Sequence, residues 1–447
     1  MLAKTATIVQ ETAVRHQCII LAENPGTLAE LCGISLLERL LRTLQRLGLT
    51  KAIVLTATPE FVGQHLANPS SHRAKVAIDL RRHPSGPVAA TQIAEVWPND
   101  AELVLVIRGD SVFDPRLLQL LDDQNSTAAL VDSAPLPNLQ PLLASARNTI
   151  GGRVCGVALL SHEWTKSQSG LFEEGLRDEI EVGRIEAIDI AAHDWDLPSL
   201  RRKLRPYWFP APVPEQRKRA QHQLLDAAQK GSLDFPAMVH APIENFLISH
   251  LCKTPITPNQ LTAITNFAAW GATFLFATGR LGWGTTLALV VGVLDGLDGK
   301  QARVKIETSK FGKLEHWFDA LFENSWWIAL AYYLQSSARL PAAFGYLALL
   351  IGAEAVAGLA KFSVIRACGP TLDEIGDFNR LVRLVGGRRN TYVWIFALGI
   401  LFGAPAQAFK IIAWWGAVTA AVQVPRAILA VLGYRKQEVL RNPRAEA

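Results

Sequence analysis

A chain of 447 residues is long enough for two or three domains. Its formal charge of +5 is modest and comes with no nucleic-acid motif, internal repeat or low-complexity segment, so no nucleic-acid partner is expected. The five cysteines (Cys18, Cys32, Cys155, Cys252, Cys368) have no CxxC or metal-ligand spacing, which excludes a disulfide scaffold and a thiolate metal site and fits a reducing compartment.

The N-terminus, "MLAKTATIVQETAVRHQ", has no apolar core beside a cleavage site, so no signal peptide is expected. "CIILAENPGTLAEL" is a buried-strand run followed by a Pro-Gly turn, "SLLERLLRTLQRLGL" has apolar residues at helical spacing, and "KAIVLTA" is a second strand. This order predicts a Rossmann-like parallel sheet. Further on, "ELVLVIRGDSVFDPRLLQLL" carries a strand ending at Gly109-Asp110, and "IEAIDIAAHDWDLPSLRRKL" carries another before Asp194 and Asp196.

The whole order over residues 15–205 resembles the sugar- and polyol-phosphate nucleotidyltransferases. That resemblance implies Mg²⁺ held by an aspartate at the end of the central strand and a later one, roles that fall on Asp110 and Asp196. The family's phosphate loop, GxGxR in type, and its later lysine are missing here: the chain reads "AENPGTLAEL" and "GISLLERL". Without those cations little neutralises a nucleotide's phosphates. Two roles stay open for this domain: synthesis of a CDP-alcohol, or a sheet kept for stability, regulation or substrate delivery.

"RPYWFPAPVPEQRKRAQ" is rich in proline and arginine with aromatics between, the composition of a linker along a membrane surface. "MVHAPIENFLISHLCKT" predicts an amphipathic interfacial helix, with His240 and His250 facing headgroups or solvent. Beyond it the character changes. Apolar stretches of bilayer length begin near Leu261, Gly282, Trp317, Leu340, Tyr392 and Ala408, predicting six spans. Lys300, Arg303, Lys305, Lys310 and Lys313 share one loop, Arg366, Arg380, Arg383, Arg388 and Arg389 another, and Arg435, Lys436, Arg441 and Arg444 the tail. The opposite loops offer little beyond Arg280 and Arg339, so both termini and both basic loops are expected in the cytoplasm of a multi-pass cytoplasmic-membrane protein. The expected division is 1–205 soluble domain, 206–252 linker and interfacial helix, 253–435 membrane domain and 436–447 basic tail.

The chemistry concentrates in "VVGVLDGLDGKQAR". Asp295, Asp298 and Ala302 fall on neighbouring angles of one helix face. A carboxylate at the centre of a span costs about 2.5–3.5 kcal/mol on insertion scales. A dication such as Mg²⁺ or Mn²⁺ offsets that cost, since oxygen donors suit it and it removes the repulsion between like charges. Gly299 and Ala302 leave the helix backbone approachable. On the next helix Glu315, Asp319 and Glu323 recur every four residues, so two acidic faces are placed to enclose a two-metal site of the kind that clamps a transferring phosphoryl group.

These residues resemble the signature of the CDP-alcohol phosphotransferases, integral membrane enzymes with the pattern DxxDGxxAR, eight residues, then GxxxDxxxD. Asp295, Asp298, Gly299, Ala302, Arg303 and Gly312 match in type and spacing, and "TPITPNQLT" (residues 254–262) matches the TPNxxT sequence that opens the family's first span. The resemblance covers about residues 240–435. In its second half the pattern departs: read without a gap the last two aspartates become His316 and Ala320, and with one residue deleted they become Glu315 and Asp319, the preferred reading. His316 stays open as a ligand or base.

By that resemblance Asp295, Asp298, Glu315 and Asp319 would hold Mg²⁺ or Mn²⁺, and Asp319 or His316 would deprotonate the acceptor. Gly299, Ala302, Arg303 and Gly312 would receive the CDP group of a CDP-alcohol donor. Arg380, Arg383, Arg388 and Arg389 would bind the phosphate of an alcohol or polyol-phosphate acceptor. The fold class expected is therefore an α/β Rossmann-like nucleotidyltransferase-type soluble domain followed by an all-α six-helix transmembrane domain. The activity expected is transfer of a phosphoalcohol group with release of CMP. The domain order resembles bifunctional enzymes of inositol phosphodiester synthesis, which implies a polyol donor. The alternatives are a phospholipid synthase using CDP-diacylglycerol, for which lipid is a partner, and an inactive membrane binding or assembly protein. Family members are commonly homodimers.

Overall fold

The first apolar run forms a strand, Gln17–Ala22, whose side chains alternate between two cores: Cys18, Ile20 and Ala22 enter one, Ile19 and Leu21 the other. In the computed structural model the described residues are 16–441 apart from 69–71, 145, 147, 150, 194, 196–203, 232–233 and 308–311, and the side chains of 312–320 and 435–441 also lie outside the description. Around the first strand the sheet runs Glu186–Asp189, Ala128–Asp132, Gly152–Ser161, Leu103–Arg108, Gln17–Ala22, Lys51–Thr56, Ala77–Arg82. Neighbours are parallel except at Gly152–Ser161, which is antiparallel to both strands beside it. The expected parallel sheet is thus mixed. Between Asp132 and Gly152 the described residues hold the short 3-10 turn Gln140–Leu143, the two-residue strand Asn148–Thr149 and no α-helix, so the chain returns antiparallel instead of crossing over.

The helix Leu36–Arg46 covers one face. Ser35 caps it by accepting from the Glu38 amide at 3.2 Å, and Leu36, Leu37, Leu40, Leu41 and Leu44 bury themselves against the sheet. The same hydrophobic core continues past the α/β half, through Ile248, Cys252, Leu261, Leu297 and Val304.

The segment expected as a surface linker is built into that core. Trp208–Pro210 is a strand paired antiparallel with Ser111–Phe113, and Trp208 and Phe209 are buried. The apolar area of these two rings outweighs the proline- and arginine-rich composition around them. A helix, Arg217–Ala227, follows. Where the interfacial helix was expected a helix forms, Phe235–Leu251, and it exposes Phe235, Met238, Val239, Ile243 and Phe246 along one stripe. His240 does not face headgroups or solvent: it is 4% exposed and its Nε2 accepts from the Trp394 indole at 3.4 Å, whereas His250 is exposed. Gly292, without a side chain, leaves the space into which His240 fits.

Helices begin near all six positions expected for spans: Pro258–Ala277, Leu281–Lys305, Gly312–Ser336, Ala343–Cys368, Arg389–Leu401 and Pro405–Arg441. Among the described residues three are long and apolar enough to cross a bilayer, Leu281–Lys305, Ala343–Cys368 and Pro405–Tyr434. Arg389–Leu401 has 13 residues, about 20 Å of helix against a hydrocarbon core of about 30 Å. Trp326, Trp327, Phe276, Phe396 and Phe409 form the bundle's interior. Phe267, Trp283 and Leu401 point outward, more than 70% exposed. An apolar exterior over an apolar interior is what lipid, not water, accommodates.

Candidate functional site

The TPN sequence is a helix start. Thr257 caps Pro258–Ala277 reciprocally: its hydroxyl accepts from the Gln260 amide at 3.2 Å, and the Gln260 side chain accepts from the Thr257 amide at 2.9 Å. One turn in, the Thr262 hydroxyl donates to Asp298 Oδ2 at 2.6 Å. The other oxygen of Asp298 accepts from the Gly299 amide at 2.5 Å, and the residue is 5% exposed. The helix Pro258–Ala277 thereby orients Asp298. Thr262→Val, which keeps the shape and removes the donor, is expected to lower turnover about tenfold, the worth of a hydrogen bond to a charged acceptor, about 1.5 kcal/mol. Initial rates of CMP release check this.

Asp295 accepts from Arg389, whose guanidinium also stacks 5.2 Å over the Phe322 ring. The pair opens into a cleft of about 420 Å³ lined also by Glu323, Glu354, Lys361, Arg388 and Tyr392. Arg388 lies 3.9 Å from Asp234, the residue whose carboxylate caps the helix Phe235–Leu251. A second pocket of about 220 Å³ adjoins the cleft and shares Lys361, Arg388 and Gln423 with it. Arg383 and Arg426 complete its cationic wall. Arg383 donates to Asp373 at 2.8 Å and Arg426 to Asn379 at 2.9 Å. Two buried polar atoms in this pocket, Thr371 Oγ1 and Gln423 Oε1, have no hydrogen-bond partner among the described residues. A buried polar atom without a partner calls for water, an ion or another polar group beside it.

The four arginines expected at the acceptor phosphate therefore separate. Arg388 and Arg389 line the cleft, Arg383 lines the adjoining pocket, and Arg380 is exposed and pairs with Asp377 at 3.3 Å. Sequence reasoning missed Lys361, Arg426, Glu354 and Gln423. For Lys361, Glu354 and Arg426 the available signal was an ionisable residue within an apolar helix, which by itself suggests function.

Elsewhere on Leu281–Lys305, Gly296 lies against the interfacial helix, where an added Cβ would come within 2.5 Å of Glu244 Oε1. The Gly299 position faces Arg303 Nη1 at 3.3 Å, and Arg303 Nε donates to the Ala228 carbonyl at 2.7 Å. Ala302 is half-buried. Glu315, His316 and Asp319 fall in the helix Gly312–Ser336, but their side chains and the surroundings of Gly312 lie outside the described residues. Among the described residues no three His, Cys, Asp or Glu side chains converge on a metal position. The carboxylates of Asp295 and Asp298, one helical turn apart, are hard oxygen donors of the kind Mg²⁺ and Mn²⁺ take, and in that respect they fit a dication.

In the α/β half Asp110 stands just beyond the strand Leu103–Arg108. Both its oxygens are taken: Arg108 donates to them at 2.9 and 2.7 Å, and Asn24 donates to Oδ2 at 2.6 Å. Burial works to raise its pKa, but the guanidinium and the amide outweigh burial and hold it below the usual carboxylate range. A guanidinium and an amide thus hold Asp110 in place, as Arg389 holds Asp295. Asp194 and Asp196 lie outside the described residues.

Residues 255–422 match the family model of the CDP-alcohol phosphatidyltransferases. Over 404 residues the chain is 28% identical to a protein of Rubrobacter xylanophilus named bifunctional IPC transferase and DIPP synthase, covering 86% of this chain and 88% of that one. A protein of the same name from Thermococcus kodakarensis is 26% identical, covering 71% of this chain and 76% of that one. Among solved structures, the inositol-1-phosphate CTP transferase from T. maritima overlaps 47% of this chain and 97% of its own, at 13% identity and a TM-score of 0.34. The helical half is a CDP-alcohol phosphatidyltransferase domain. The chain is an enzyme, a CDP-alcohol phosphotransferase. Enzymes of this kind generally depend on a divalent metal.

Proposed function

We propose that the chain is a multi-pass enzyme of the cytoplasmic membrane that joins a CDP-linked polyol to a phosphorylated polyol, releasing CMP and forming a phosphodiester. Both termini would lie in the cytoplasm, and the six helices from Pro258 onward would form the membrane bundle. The observation that carries this reading is the cleft that has Asp295 at one end and opens at the other into the pocket walled by Lys361, Arg383, Arg388 and Arg426. One end suits a metal-bound diphosphate and the other a phosphate monoester. The names of the relatives from Rubrobacter xylanophilus and Thermococcus kodakarensis point to the same class of product.

In this reading Asp295, Asp298, Glu315 and Asp319 hold Mg²⁺ or Mn²⁺, which would neutralise the diphosphate and the charge developing on the leaving CMP. Thr262 fixes the angle of the Asp298 carboxylate. The backbone at Gly299 and Ala302, with Arg303 and Gly312, receives the nucleotide. Lys361, Arg388 and Arg426 hold the acceptor's phosphate so that its free hydroxyl faces the β-phosphorus. Asp319 takes the hydroxyl proton as the new O–P bond forms and the bond to the α-phosphate oxygen breaks, and His316 is the second candidate for that proton. Arg389, already on Asp295, bridges the donor and acceptor ends. In this reading the α/β half makes no CDP-alcohol of its own, because "AENPGTLAEL" and "GISLLERL" lack the cations that would neutralise a nucleotide's phosphates.

The test uses purified full-length protein with Mg²⁺ or Mn²⁺, a panel of CDP-alcohols, and acceptors with and without a phosphate group. CMP release is expected with a CDP-polyol and a phosphorylated acceptor, is expected to vanish with a chelator, and diphosphate release from CTP is expected to be absent. Turnover with CDP-diacylglycerol alone would replace this reading with a phospholipid synthase. No turnover with any donor would replace it with a binding role.

A further inference from the structure

The helix that carries Asp295 and Asp298 ends at Lys305, and a helix end leaves its last carbonyls without partners of its own. Ile306 turns the backbone into the left-handed region (φ 52°), and the Glu307 amide returns to the Ala302 carbonyl at 2.8 Å. The next carbonyls are satisfied from the other half of the chain. Arg39 Nη1 donates to the Val304 carbonyl at 2.8 Å, and Arg42 Nη1 donates to the Lys305 carbonyl at 2.8 Å. Two guanidiniums thus meet the negative end of the helix dipole, in a place where water is excluded: Arg39 is 3% and Arg42 5% exposed.

Both arginines are themselves held. Arg39 Nη2 donates to the Leu31 carbonyl at 3.2 Å. Arg42 Nε donates to Glu38 Oε1 at 2.6 Å, and the fully buried Glu38 also accepts from the amides of Arg73 and Ala74 at 2.7 and 3.1 Å. Across the junction Glu307 accepts from Arg42 at 3.1 Å and Arg73 at 3.0 Å. Lys305 Nζ donates to the Thr254 carbonyl at 2.8 Å, just ahead of the helix that carries Thr262. Lys305 lies seven residues beyond Asp298, roughly 10 Å along the axis. Rotation or slippage of the helix end therefore carries directly to the motif carboxylates.

We propose that Arg39 and Arg42 are positioning residues for the transferase: the α/β domain serves as a clamp that fixes the rotation and height of the metal-binding helix by capping its C-terminus. The proposal rests on the transferase reading for its consequence in catalysis, while the clamp itself is independent of it. It also gives the α/β domain work that needs no nucleotide chemistry at Asp110.

The test compares the full-length Arg39→Met/Arg42→Met double variant with Arg39→Lys/Arg42→Lys, which keeps a cation and a donor at each position, and with Glu307→Gln, which breaks the ion pairs of the same junction but spares the carbonyl caps. Hydrogen exchange is measured across residues 295–307, and Mn²⁺ affinity by electron paramagnetic resonance. In the Met variant exchange over 298–305 is expected to rise about tenfold or more while the sheet strands are unchanged, and Mn²⁺ affinity to fall about tenfold, as when the support of a metal ligand is lost. The Lys variant should recover most of both, and Glu307→Gln should match the wild type in both. Wild-type exchange over 298–305 in the Met variant overturns the clamp, as does equal loosening of the sheet, or loosening in Glu307→Gln as large as in the Met variant. If the wild type binds no Mn²⁺ and releases no CMP, the transferase reading fails, and the exchange measurement still decides the clamp.

Discussion

Asp298→Asn is expected to lower CMP release on the order of a thousandfold, equivalent to about 4 kcal/mol of barrier. Asparagine keeps the size and one acceptor oxygen, enough for either Thr262 or the Gly299 amide but not for both, and the helix should persist. What disappears is the formal negative charge that draws a dication to this point. Asp295→Asn should lose activity on the same scale and also weaken the tie to Arg389. Rates at saturating Mg²⁺ or Mn²⁺, with the variants' circular dichroism and detergent-solubilised size matched to the wild type, check the claim. Activity within tenfold of the wild type in both variants would remove the motif helix from the chemistry.

Lys361→Met and Arg426→Met are expected to act on the acceptor side. Each removes one charge-assisted donor facing the smaller pocket, worth about 1.5–3 kcal/mol, so KM for a phosphorylated acceptor should rise roughly 10- to 150-fold. KM for the CDP-linked donor should stay nearly unchanged, since Asp295 and Asp298 lie on another helix. An acceptor without a phosphate gives the control, and the substitutions should scarcely alter its already weak use. Equal losses for both acceptors would assign the two cations to stabilising the bundle instead.

Much of this was legible in the sequence, for physical reasons that can be named. Carboxylates in an apolar run carry a high desolvation cost, so Asp295 and Asp298 stood out at once, and "TPITPNQLT" matched the TPNxxT sequence that opens the family's first span. Strands such as Gln17–Ala22 were legible because each is an unbroken apolar run bounded by turn residues. The direction of Gly152–Ser161 was not, because pairing direction depends on the route of the connection and not on the strand's own residues.

The cationic pocket was only partly legible. Arg383 and Arg388 stood in a basic loop, but Lys361 and Arg426 come from helices Ala343–Cys368 and Pro405–Arg441, and a single sequence does not report which helix faces which. Arg39 and Arg42 were hidden more completely. Three residues apart on a leucine-rich helix, they read as ordinary solvated charges, and only the fold brings the end of another helix to them. Trp208 and Phe209 were lost in a composition dominated by proline and arginine, although two adjacent aromatic residues were a sign of burial.

The carbonyl that Arg42 serves lies 263 residues further along the chain. At typical translation rates that stretch takes roughly ten to fifty seconds to synthesise. Throughout that interval the leucine-rich helix can settle on its sheet, but its two guanidiniums must remain hydrated, on a face that stays open to water. Completion of the N-terminal half therefore awaits folding of a segment made long afterwards, and biogenesis has a built-in order: sheet first, bundle second, closure of the seam last.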